Sequence, residues 1–436
     1  MNNSFKLIDS FWTSGLVSQI DEFHGRDAEL GDLQANIKRS GIAISGSVGV
    51  GKSSLLSIMR VMLEGFNTGL RSACPLAMCS TGDEPWQLAK KLIHHFRHVT
   101  EKKVVEWGFD LKGVAWKETK TASELSGDDH ISALIELLLE LSSSGNLDYL
   151  VCMFDESHKC PNSLAELVRT LKERLEHDGV PNIRFIAAGI DPFVSRMIQY
   201  DSGIGRAFQC HIALTPWDVD TTRSFVEEKL GSIIDNANAE GNNEITYSDG
   251  LSNVIYRLSG GHPFLVQLLG SYLVRHENAV PDGLLDVTDL VGALREICMR
   301  TRRPEYNSMI EALDMNQMLE AYQRMVESLS TKSPSTILPT DLIHIAGIDG
   351  VKWFLDNGYI FEERGLYRLT DELLRVALLL EDGGEAALSA REQTILFSQR
   401  RQGERYGHAE NDFDDDDFDD DDFDDDDFDD DDAGGV

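Results

Sequence analysis

Eight residues near the start of the chain, GSVGVGKS at 46–53, have the types and spacing that suit the binding of a phosphate chain. Gly46, Gly49 and Gly51 allow successive backbone N–H groups to turn toward one anion at a helix N-terminus. Lys52 can reach β- and γ-phosphates, and the Ser53 hydroxyl is a ligand for Mg²⁺. The phosphate-binding residues expected from this complete G-x-x-x-x-G-K-[ST] pattern are Gly46, Ser47, Val48, Gly49, Val50, Gly51, Lys52, Ser53 and Ser54.

The flanking residues supply the elements that such a loop needs. A β-prone run from Ile42 to Ile44 precedes the loop, and a helical pattern that includes Leu55 and Met59 follows it. A glycine-rich turn before an ordinary helix is the alternative interpretation. Strand, loop and helix nevertheless occur in the order that a nucleotide site requires.

A second candidate element is YLVCMFDESH at 149–158, a buried-strand run that ends on two acids. Asp155, at the end of the strand, can hold the Mg²⁺ shell through water, and Glu156 can polarise an attacking water. This pair predicts hydrolysis rather than binding alone. His158 is either a coupling residue or an ordinary loop residue, and the sequence leaves both open.

The segment FHGRDAELGDLQANI at 23–37 resembles the entry segment of STAND-type ATPases and of their AAA+ relatives among archaeal and replication-initiator ATPases. By its own pattern it is a capped amphipathic helix with Leu30 and Leu33 facing inward. In the group that it resembles, this segment packs over the adenine of ATP. The base neighbours that the resemblance implies are Phe23, His24, Gly25 and Arg26.

Two further segments fit the same resemblance. In SGIGRAFQCHIAL at 202–214, Arg206 lies just before a strand, where AAA+ proteins commonly place an arginine finger that reaches a neighbour's γ-phosphate. Arg196 is the rival position, and a plain solvated arginine is the alternative. In LSGGHPFLVQLLG at 258–270, a G-x-P segment sets Pro263 against the adenine in STAND proteins.

The chain departs from many AAA+ proteins at the position of their first sensor. That sensor is expected at the end of the strand in NIRFIAAGID, where many members have Asn or Ser. This chain has Ala187, Ala188 and Gly189 there. The difference favours the STAND-like branch.

The predicted fold class is α/β: a P-loop NTPase, in which helices flank a parallel sheet, with an α-helical lid, a C-terminal winged-helix domain and a disordered acidic tail. The expected domains are a nucleotide-binding core at 1–232, a helical lid at 233–310, a winged-helix domain at 311–382, a basic helical extension at 383–408 and the tail at 409–436.

The winged-helix interpretation comes from a helix at 351–357, then two short strands about Arg364, then a last helix. A DNA reader would aim basic and amide side chains at the groove, and Lys352, Arg364 and Arg368 are candidates. Acids lie among them, so a protein-packing domain and a DNA reader both remain open. The region 99–128, with five lysines and two tryptophans, is either a lid hairpin or a nucleic-acid or partner hairpin.

Charge is concentrated at the end of the chain. The formal net charge is −35, but 410–432 holds 18 acids and no base, and the remainder has 57 acids against 40 bases. An acidic body argues against a protein that coats DNA, since phosphate binding needs clustered Lys and Arg. The repeat FDDDD, four times over at 413–432, cannot bury enough surface to fold alone. It is either a solubilising extension or a mimic of nucleic acid that binds a basic surface.

The cysteines, the N-terminus and the lengths of the apolar runs indicate the cellular compartment. Six cysteines show no paired metal spacing and are expected to be buried reduced thiols. The N-terminus MNNSFKLIDSFW lacks the pattern of a signal peptide, and no apolar run is long enough for a membrane span. A cytoplasmic protein without a membrane partner is expected.

The leading functional hypothesis is a molecular switch that binds and hydrolyses ATP with Mg²⁺, Glu156 and a neighbour's Arg206. It would form a homo-oligomer and regulate or load a partner that acts on nucleic acid, with the acidic tail capturing a basic protein. The alternative is a slowly hydrolysing signalling or scaffold protein gated by nucleotide. A third is a DNA-binding ATPase similar to replication initiators. The sequence does not decide between ATP and GTP.

Overall fold

The computed structural model describes residues 7–11, 17, 22–65, 71–103, 127–143, 147–180, 182–239, 245–329 and 336–381. The predictions for the basic extension, for the acidic tail and for most of the 99–128 hairpin lie outside these residues. Within them, no helix is both long and apolar enough to cross a membrane. The six cysteines are free thiols, five of them buried and Cys210 half-buried, as the sequence indicated.

A parallel sheet forms the centre of the molecule. Its strands run in the order β2-β4-β5-β1-β6, and β3 also pairs with β4. Every pairing is parallel, which requires crossover connections and covers both faces with helices. The strands are β1 Gly41–Gly46, β2 Ser72–Ala73, β3 Leu76–Met78, β4 Tyr149–Asp155, β5 Ile183–Gly189 and β6 Phe208–Leu214.

Alternate residues of each strand enter two separate cores, because side chains of a strand point to opposite faces. Ile42 and Ile44 of β1 pack with the helices of one face, whereas Ala43 packs with those of the other. In β4, Val151 joins the first core and Phe154 the second. The central strands are therefore buried on both sides, whereas alternate residues of the edge strand β6 are exposed.

Helices pack on both faces of this sheet. The predicted helix with Leu30 and Leu33 inward is confirmed, since both are buried in α1. Pro161 begins α5 at the first helical position, where its missing N–H costs nothing. The helices are α1 Asp27–Ile37, α2 Lys52–Glu64, α3 Pro85–Lys103, α4 Gly127–Ser143, α5 Pro161–His177, α6 Phe193–Tyr200 and α7 Val219–Ala239.

A second helical group follows α7. Asp286 and Asp289 form a reciprocal capping box that fixes the start of α10. The expected boundaries at 232/233 and 310/311 both fall inside continuous helices, α7 and α11, because composition does not mark these junctions. The helices are α8 Leu251–Ser259, α9 Pro263–Ala279, α10 Val287–Glu296, α11 Arg303–Met315 and α12 Leu319–Leu329, and the short strands β7 Thr246–Tyr247 and β8 Leu284–Leu285 pair beside them.

The last described region contains helix, hairpin and helix. The predicted hairpin is confirmed: β10 Ile360–Glu363 and β11 Leu366–Leu369 are antiparallel about Arg364 and Gly365, both at positive φ. The preceding helix α13, Pro339–Asp356, begins earlier than the expected Val351 and is kinked at Gly347. Strand β9 Thr336–Ile337 pairs with β11, and α14 spans Glu372–Glu381. This order agrees with a winged helix, which stays an interpretation.

The N-terminal segment is fastened to α9. Leu7 donates its backbone N–H to Oδ1 of Asn278 at 2.6 Å and accepts from Nδ2 at 3.0 Å. Phe11 is fully buried, and a Cβ built on Gly270 would lie 2.3 Å from its ring. The absence of a side chain at Gly270 therefore makes room for this ring.

Candidate functional site

The phosphate loop lies where β1 ends and α2 begins, as the sequence predicted. Gly51 precedes the helix with a φ of 103°, and Gly49 has a φ of 76°, conformations that an L side chain rarely adopts. These turns leave the first N–H groups of α2 without carbonyl partners in the helix. The helix dipole adds positive potential at the same end. The loop can thus hold an anion against α2.

Lys52 is the first residue of α2, and only 6% of it is exposed. Its Nζ donates to the carbonyl oxygens of Gly46 at 3.0 Å and Ser47 at 2.6 Å. Burial lowers the pKa of Lys52 to about 8, although the negative charges of Glu156, Asp155 and Asp191 oppose this. A buried cation surrounded by acids from β4 and β5 is arranged to receive a phosphate.

The two acids after β4 have different surroundings. Asp155 is 1% exposed, and its Oδ1 accepts the N–H of Glu156 at 2.8 Å. Glu156 has a φ of 56°, which is uncommon for a residue with a side chain. The two acids thus differ in burial and in backbone conformation.

Glu156 is held ionised by cations around it. Partial burial would raise its pKa, but the hydrogen bond and positive charge of Lys159, with the charge of Lys52 and that of His158 when protonated, outweigh burial and lower the pKa of Glu156. Nζ of Lys159 lies 2.9 Å from its carboxylate and Nε2 of His158 lies 3.8 Å away. An anion at neutral pH can accept a hydrogen bond from a water and orient it.

The donor set suits Mg²⁺. The Ser53 hydroxyl and the Asp155 carboxylate are hard oxygen ligands at the start of α2 and the end of β4. Among the described residues no group of three or more His, Cys, Asp or Glu could hold a metal by itself.

Arg26 is a structural clamp in this structure. Its guanidinium donates to the carbonyl oxygens of Val50 at 3.1 Å and Thr215 at 2.6 Å and pairs with Glu29 at 2.8 Å. It therefore joins the phosphate loop to the segment after β6. The role of Arg26 as a base neighbour, which the resemblance implies, stays a prediction.

The remaining adenine candidates converge around Trp217. A Cβ on Gly25 would lie 3.0 Å from Nε1 of Trp217, and the backbone N–H of Trp217 donates to the Gly261 carbonyl at 2.8 Å. The His24 ring packs edge-on against Phe225 at 5.3 Å, and Trp217 contacts the same ring at 5.0 Å. Pro263 begins α9 two residues after Gly261, and Phe23 packs partly against the core beneath α1.

Replacing Gly261 with alanine is expected to destabilise the fold by about 3 kcal/mol or more. The φ of Gly261 is +74°, and an added Cβ would lie 2.0 Å from the Trp217 carbonyl oxygen, a backbone atom that cannot move aside. Thermal or urea unfolding measures the loss. Gly231→Ala, inside α7 with open space around it, is the control and should be neutral or slightly stabilising. Equal stability of both variants would contradict the contact.

His262 covers the tip of the phosphate loop. A Cβ on Gly49 would lie 2.8 Å from Cε1 of His262 and 3.1 Å from Phe264. His262 is 4% exposed, and burial lowers its pKa to about 3, with the positive charges of Lys52 and Arg302 acting in the same direction. The imidazole is therefore neutral at physiological pH and adds no charge to the loop.

A cavity of about 440 Å³ lies between the phosphate loop and the C-terminal hairpin region. Its wall includes Gly49, His158, Asp191, Arg302 and Asp371. Nη1 of Arg302 pairs with Asp371 at 2.7 Å, and its guanidinium also pairs with Glu305. The segments before α11 and before α14 thus meet beside the loop through this largely buried ion pair.

The hairpin region also touches the turn before α9. Arg368 is 7% exposed and donates to the Gly260 carbonyl at 2.7 Å while pairing with Glu363 at 2.6 Å. Of the two hairpin arginines, Arg368 is therefore turned inward, and Arg364 lies at the turn.

The two candidate arginine fingers lie in different places. Arg206 ends a short 3₁₀ turn before β6, so it is at the amino edge of the sheet, whereas the phosphate loop follows the carboxyl end of parallel β1. Seven residues of β6 separate the edges by about 20 Å, so Arg206 does not reach its own loop. Arg196 of α6 lines the same cavity as Gly49.

The first-sensor position is apolar, as read from the sequence. Gly189 at the end of β5 pairs with Ser45 of β1. Two residues after Gly189 comes Asp191, whose negative charge raises the pKa of Lys52. Sequence reasoning missed Asp191, Lys159 and Trp217; the only signal for Trp217 was its place after Thr-Pro behind a strand.

No protein-family model matches the chain, and no curated protein matches its sequence. Solved structures do. A Walker-type ATPase of Pyrococcus abyssi is 16% identical with a TM-score of 0.52, covering 84% of this chain and 99% of its own. The ORC2 protein of Aeropyrum pernix, in ADPNP and ADP complexes, is 15% identical with a TM-score of 0.55, covering 90% and 99%. At these identities the likeness shows the fold alone, a parallel sheet flanked by helices like that of these two proteins.

Proposed function

We propose that the chain is an AAA+-type molecular switch that binds and hydrolyses ATP, assembles with itself and regulates or loads a partner that acts on nucleic acid. The observation that carries this proposal is the buried Lys52, enclosed by the phosphate loop and facing the charges of Asp155 and Glu156. A loop that only bound nucleotide would not require a second acid after the strand.

Each residue of the site has a separate role in this proposal. Backbone N–H groups at the start of α2 and the Lys52 ammonium hold the β- and γ-phosphates, which replace the Gly46 and Ser47 carbonyls as partners of Nζ. Bound Mg²⁺, held by Ser53 and Asp155, would neutralise charge on the phosphates. Glu156, kept ionised by Lys159, orients the water that attacks the γ-phosphate.

Arg206 is proposed to complete the site of a neighbouring copy. Its support is the geometry: a solvent-exposed guanidinium at the sheet edge opposite the chain's own loop. An arginine that stabilises charge on the transferred phosphoryl group accelerates hydrolysis strongly when it comes from a second subunit.

Mixing two inactive variants tests this assignment together with self-assembly. Arg206→Ala subunits keep a complete loop, and Lys52→Ala subunits keep the finger, so mixed assemblies should recover Mg²⁺-dependent ATP hydrolysis that neither variant has alone. Phosphate release is the measurement. Arg223→Ala, also an exposed arginine, is the control and should stay active without mixing. Assemblies that form but recover nothing would remove Arg206 from the site.

The partner is inferred from charge. The C-terminal helix α13 exposes Lys352 together with Asp349 and Asp356, and Arg368 is turned inward, so this face offers few groups to DNA phosphates. A protein that itself acts on nucleic acid suits this surface better than DNA does. The acidic FDDDD repeat would attract a basic partner of that kind.

A slowly hydrolysing scaffold gated by nucleotide is the second candidate. Its support is the contact of Arg368 with the Gly260 carbonyl, which ties the C-terminal region to the turn covering the phosphate loop. Slow turnover with tight nucleotide binding would favour this candidate over the hydrolysing switch.

A further inference from the structure

Two of the cysteines, Cys79 and Cys160, lie beside the turn that carries Glu156. Cys79 follows β3, and its backbone N–H donates to the carbonyl oxygen of Asp155 at 2.9 Å. Cys160 is the N-cap residue of α5, four residues after Glu156. The two side chains belong to the same core, and their sulfurs form a hydrogen bond with each other. The acidic turn is thus flanked by a contacting pair of thiols.

The hydrogen bond makes the two sulfurs chemically different. The Cys79 thiol donates, and this bond together with burial raises the pKa of Cys79, so its sulfur keeps the proton. Cys160 accepts, and the bond lowers the pKa of Cys160 although burial opposes it. Since the thiolate rather than the thiol is the nucleophile, Cys160 is the sulfur that reacts first.

Lys91 and Asp83 complete the charged surroundings of the pair. Nζ of Lys91 donates to the Met78 carbonyl at 2.8 Å and pairs with Asp83. The positive charge of Lys91 lowers the pKa of both thiols, whereas the negative charge of Asp83 raises it. Lys91 is 33% exposed and Cys160 is 6% exposed. The pair therefore lies at the edge of its core, where a small oxidant from solvent meets Cys160.

Two other cysteines have surroundings that keep them protonated. Burial raises the pKa of Cys152, which lies within β4, to about 12. Burial also raises the pKa of Cys210 on the edge strand β6, although Cys210 is only half-buried. Both are thiols at neutral pH, so exposure alone does not select the reactive sulfur.

We propose that Cys79 and Cys160 are a peroxide-sensitive pair, and that their disulfide displaces Glu156 and slows the ATP hydrolysis of the proposed function, on which this second part rests. The Cys160 thiolate attacks one oxygen of hydrogen peroxide, and the O–O bond breaks to give a sulfenic acid and a hydroxide ion, which takes a proton from solvent. The Cys79 sulfur then attacks the sulfenic sulfur. The S–O bond breaks, and the departing hydroxide leaves as water with the Cys79 proton. The two thiols lose two electrons, which reduce one peroxide to two waters.

The disulfide displaces the acid because the connection between Cys160 and Glu156 is short. An S–S bond of about 2 Å replaces a hydrogen-bond contact, so the two sulfurs must draw together. The backbone of Cys79 is fixed to β4, and the movement therefore falls on Cys160 and the turn 156–159. In this turn the Lys159 N–H donates to the Glu156 carbonyl at 2.9 Å, and Nζ of Lys159 holds the Glu156 carboxylate. Oxidation thus shifts the group that orients the attacking water.

Peptide mapping of the full chain, before and after hydrogen peroxide, tests the pair. Wild type should yield a Cys79–Cys160 disulfide, and Cys152 and Cys210 should remain open to alkylation once the chain is unfolded. Its ATP hydrolysis should fall at least about tenfold and return with dithiothreitol. Cys160→Ser, which places a preferred N-cap residue before α5, should hydrolyse ATP normally and resist peroxide. Cys210→Ser is the matched control and should respond like wild type.

Peroxide-treated wild type that lacks this disulfide, or that carries a sulfinic acid at Cys160 beside an unmodified Cys79, overturns the inference. Unchanged hydrolysis by the fully cross-linked chain overturns the displacement of Glu156. If reduced wild type hydrolyses no ATP, the proposed function fails, and the mapped peptides still decide whether the pair is oxidised. Should Cys160→Ser not fold, Cys79→Ser decides: a sulfenic acid that reacts with dimedone should accumulate at Cys160, and its absence contradicts the first step.

Discussion

Replacing Lys52 with alanine is expected to lower the affinity for ATP by about a hundredfold, the scale of a buried charge-assisted hydrogen bond. The ammonium is the one side-chain cation within the loop itself, and it already lies at the Gly46 and Ser47 carbonyls. Calorimetry or a fluorescent nucleotide gives the affinity. Lys90→Ala, an exposed lysine of α3, is the control and should bind like wild type. Unchanged ATP affinity in Lys52→Ala would contradict the assignment of 46–53 as a phosphate-binding loop.

The same residue predicts a pH effect on the empty protein. The pKa of Lys52 falls from 10.5 to about 8 on folding because the side chain is buried. Between these values the unfolded chain holds a proton that the folded chain has released, so the free energy of unfolding rises with pH. Over this pH range the free energy of unfolding rises by about 3 kcal/mol in total.

The comparison that isolates this effect is Lys52→Met, which keeps the aliphatic stem. Below pH 8 wild type bears the cost of a buried charge, so the methionine variant should unfold at a higher temperature. The difference between the two unfolding temperatures should become smaller as pH rises from 8 toward 10. A gap that is constant over this range would show that Lys52 stays protonated in the fold.

Replacing Glu156 with glutamine is expected to slow ATP hydrolysis by about a hundredfold to a thousandfold while leaving ATP bound. Glutamine keeps the shape of the side chain and its ability to hydrogen-bond, but it cannot attract a proton from the attacking water. The charge that Lys159 now balances is also lost. Single-turnover hydrolysis, measured beside equilibrium ATP binding, separates the two steps.

Glu173→Gln provides the matched control, because Glu173 is an exposed acid of α5 that pairs with Arg169 away from the loop. Its turnover should equal that of wild type. If Glu156→Gln hydrolyses ATP at the normal rate, the oriented water depends on another group, and Asp191 is the next acid to replace.

The strand ends of the site could be predicted from sequence because the signals there are local. The glycine spacing in 46–53 and the apolar run before Asp155 are each contained in a segment of about ten residues. The hairpin about Arg364 was predictable for the same reason, since two adjacent residues set the turn. Such features need no knowledge of which distant segments meet.

The contacts that shape the loop were not predictable, because their partners are far away in sequence. Arg26 joins Val50, 24 residues later, to Thr215, 189 residues later. Motif resemblance places Arg26 beside a base, which stays a prediction, and it gave no sign of these two backbone contacts. Trp217 gains meaning only when the folded chain sets it against Gly25 and Gly261.

The fastening of Leu7 to Asn278 sets an order for folding during synthesis. The two residues are 271 positions apart, so at ordinary translation speeds Asn278 is made roughly 15–50 s after Leu7. Throughout that interval Leu7 and Phe11 lack their native contacts with α9. The segment that holds them is thus packed only after α9 has been made.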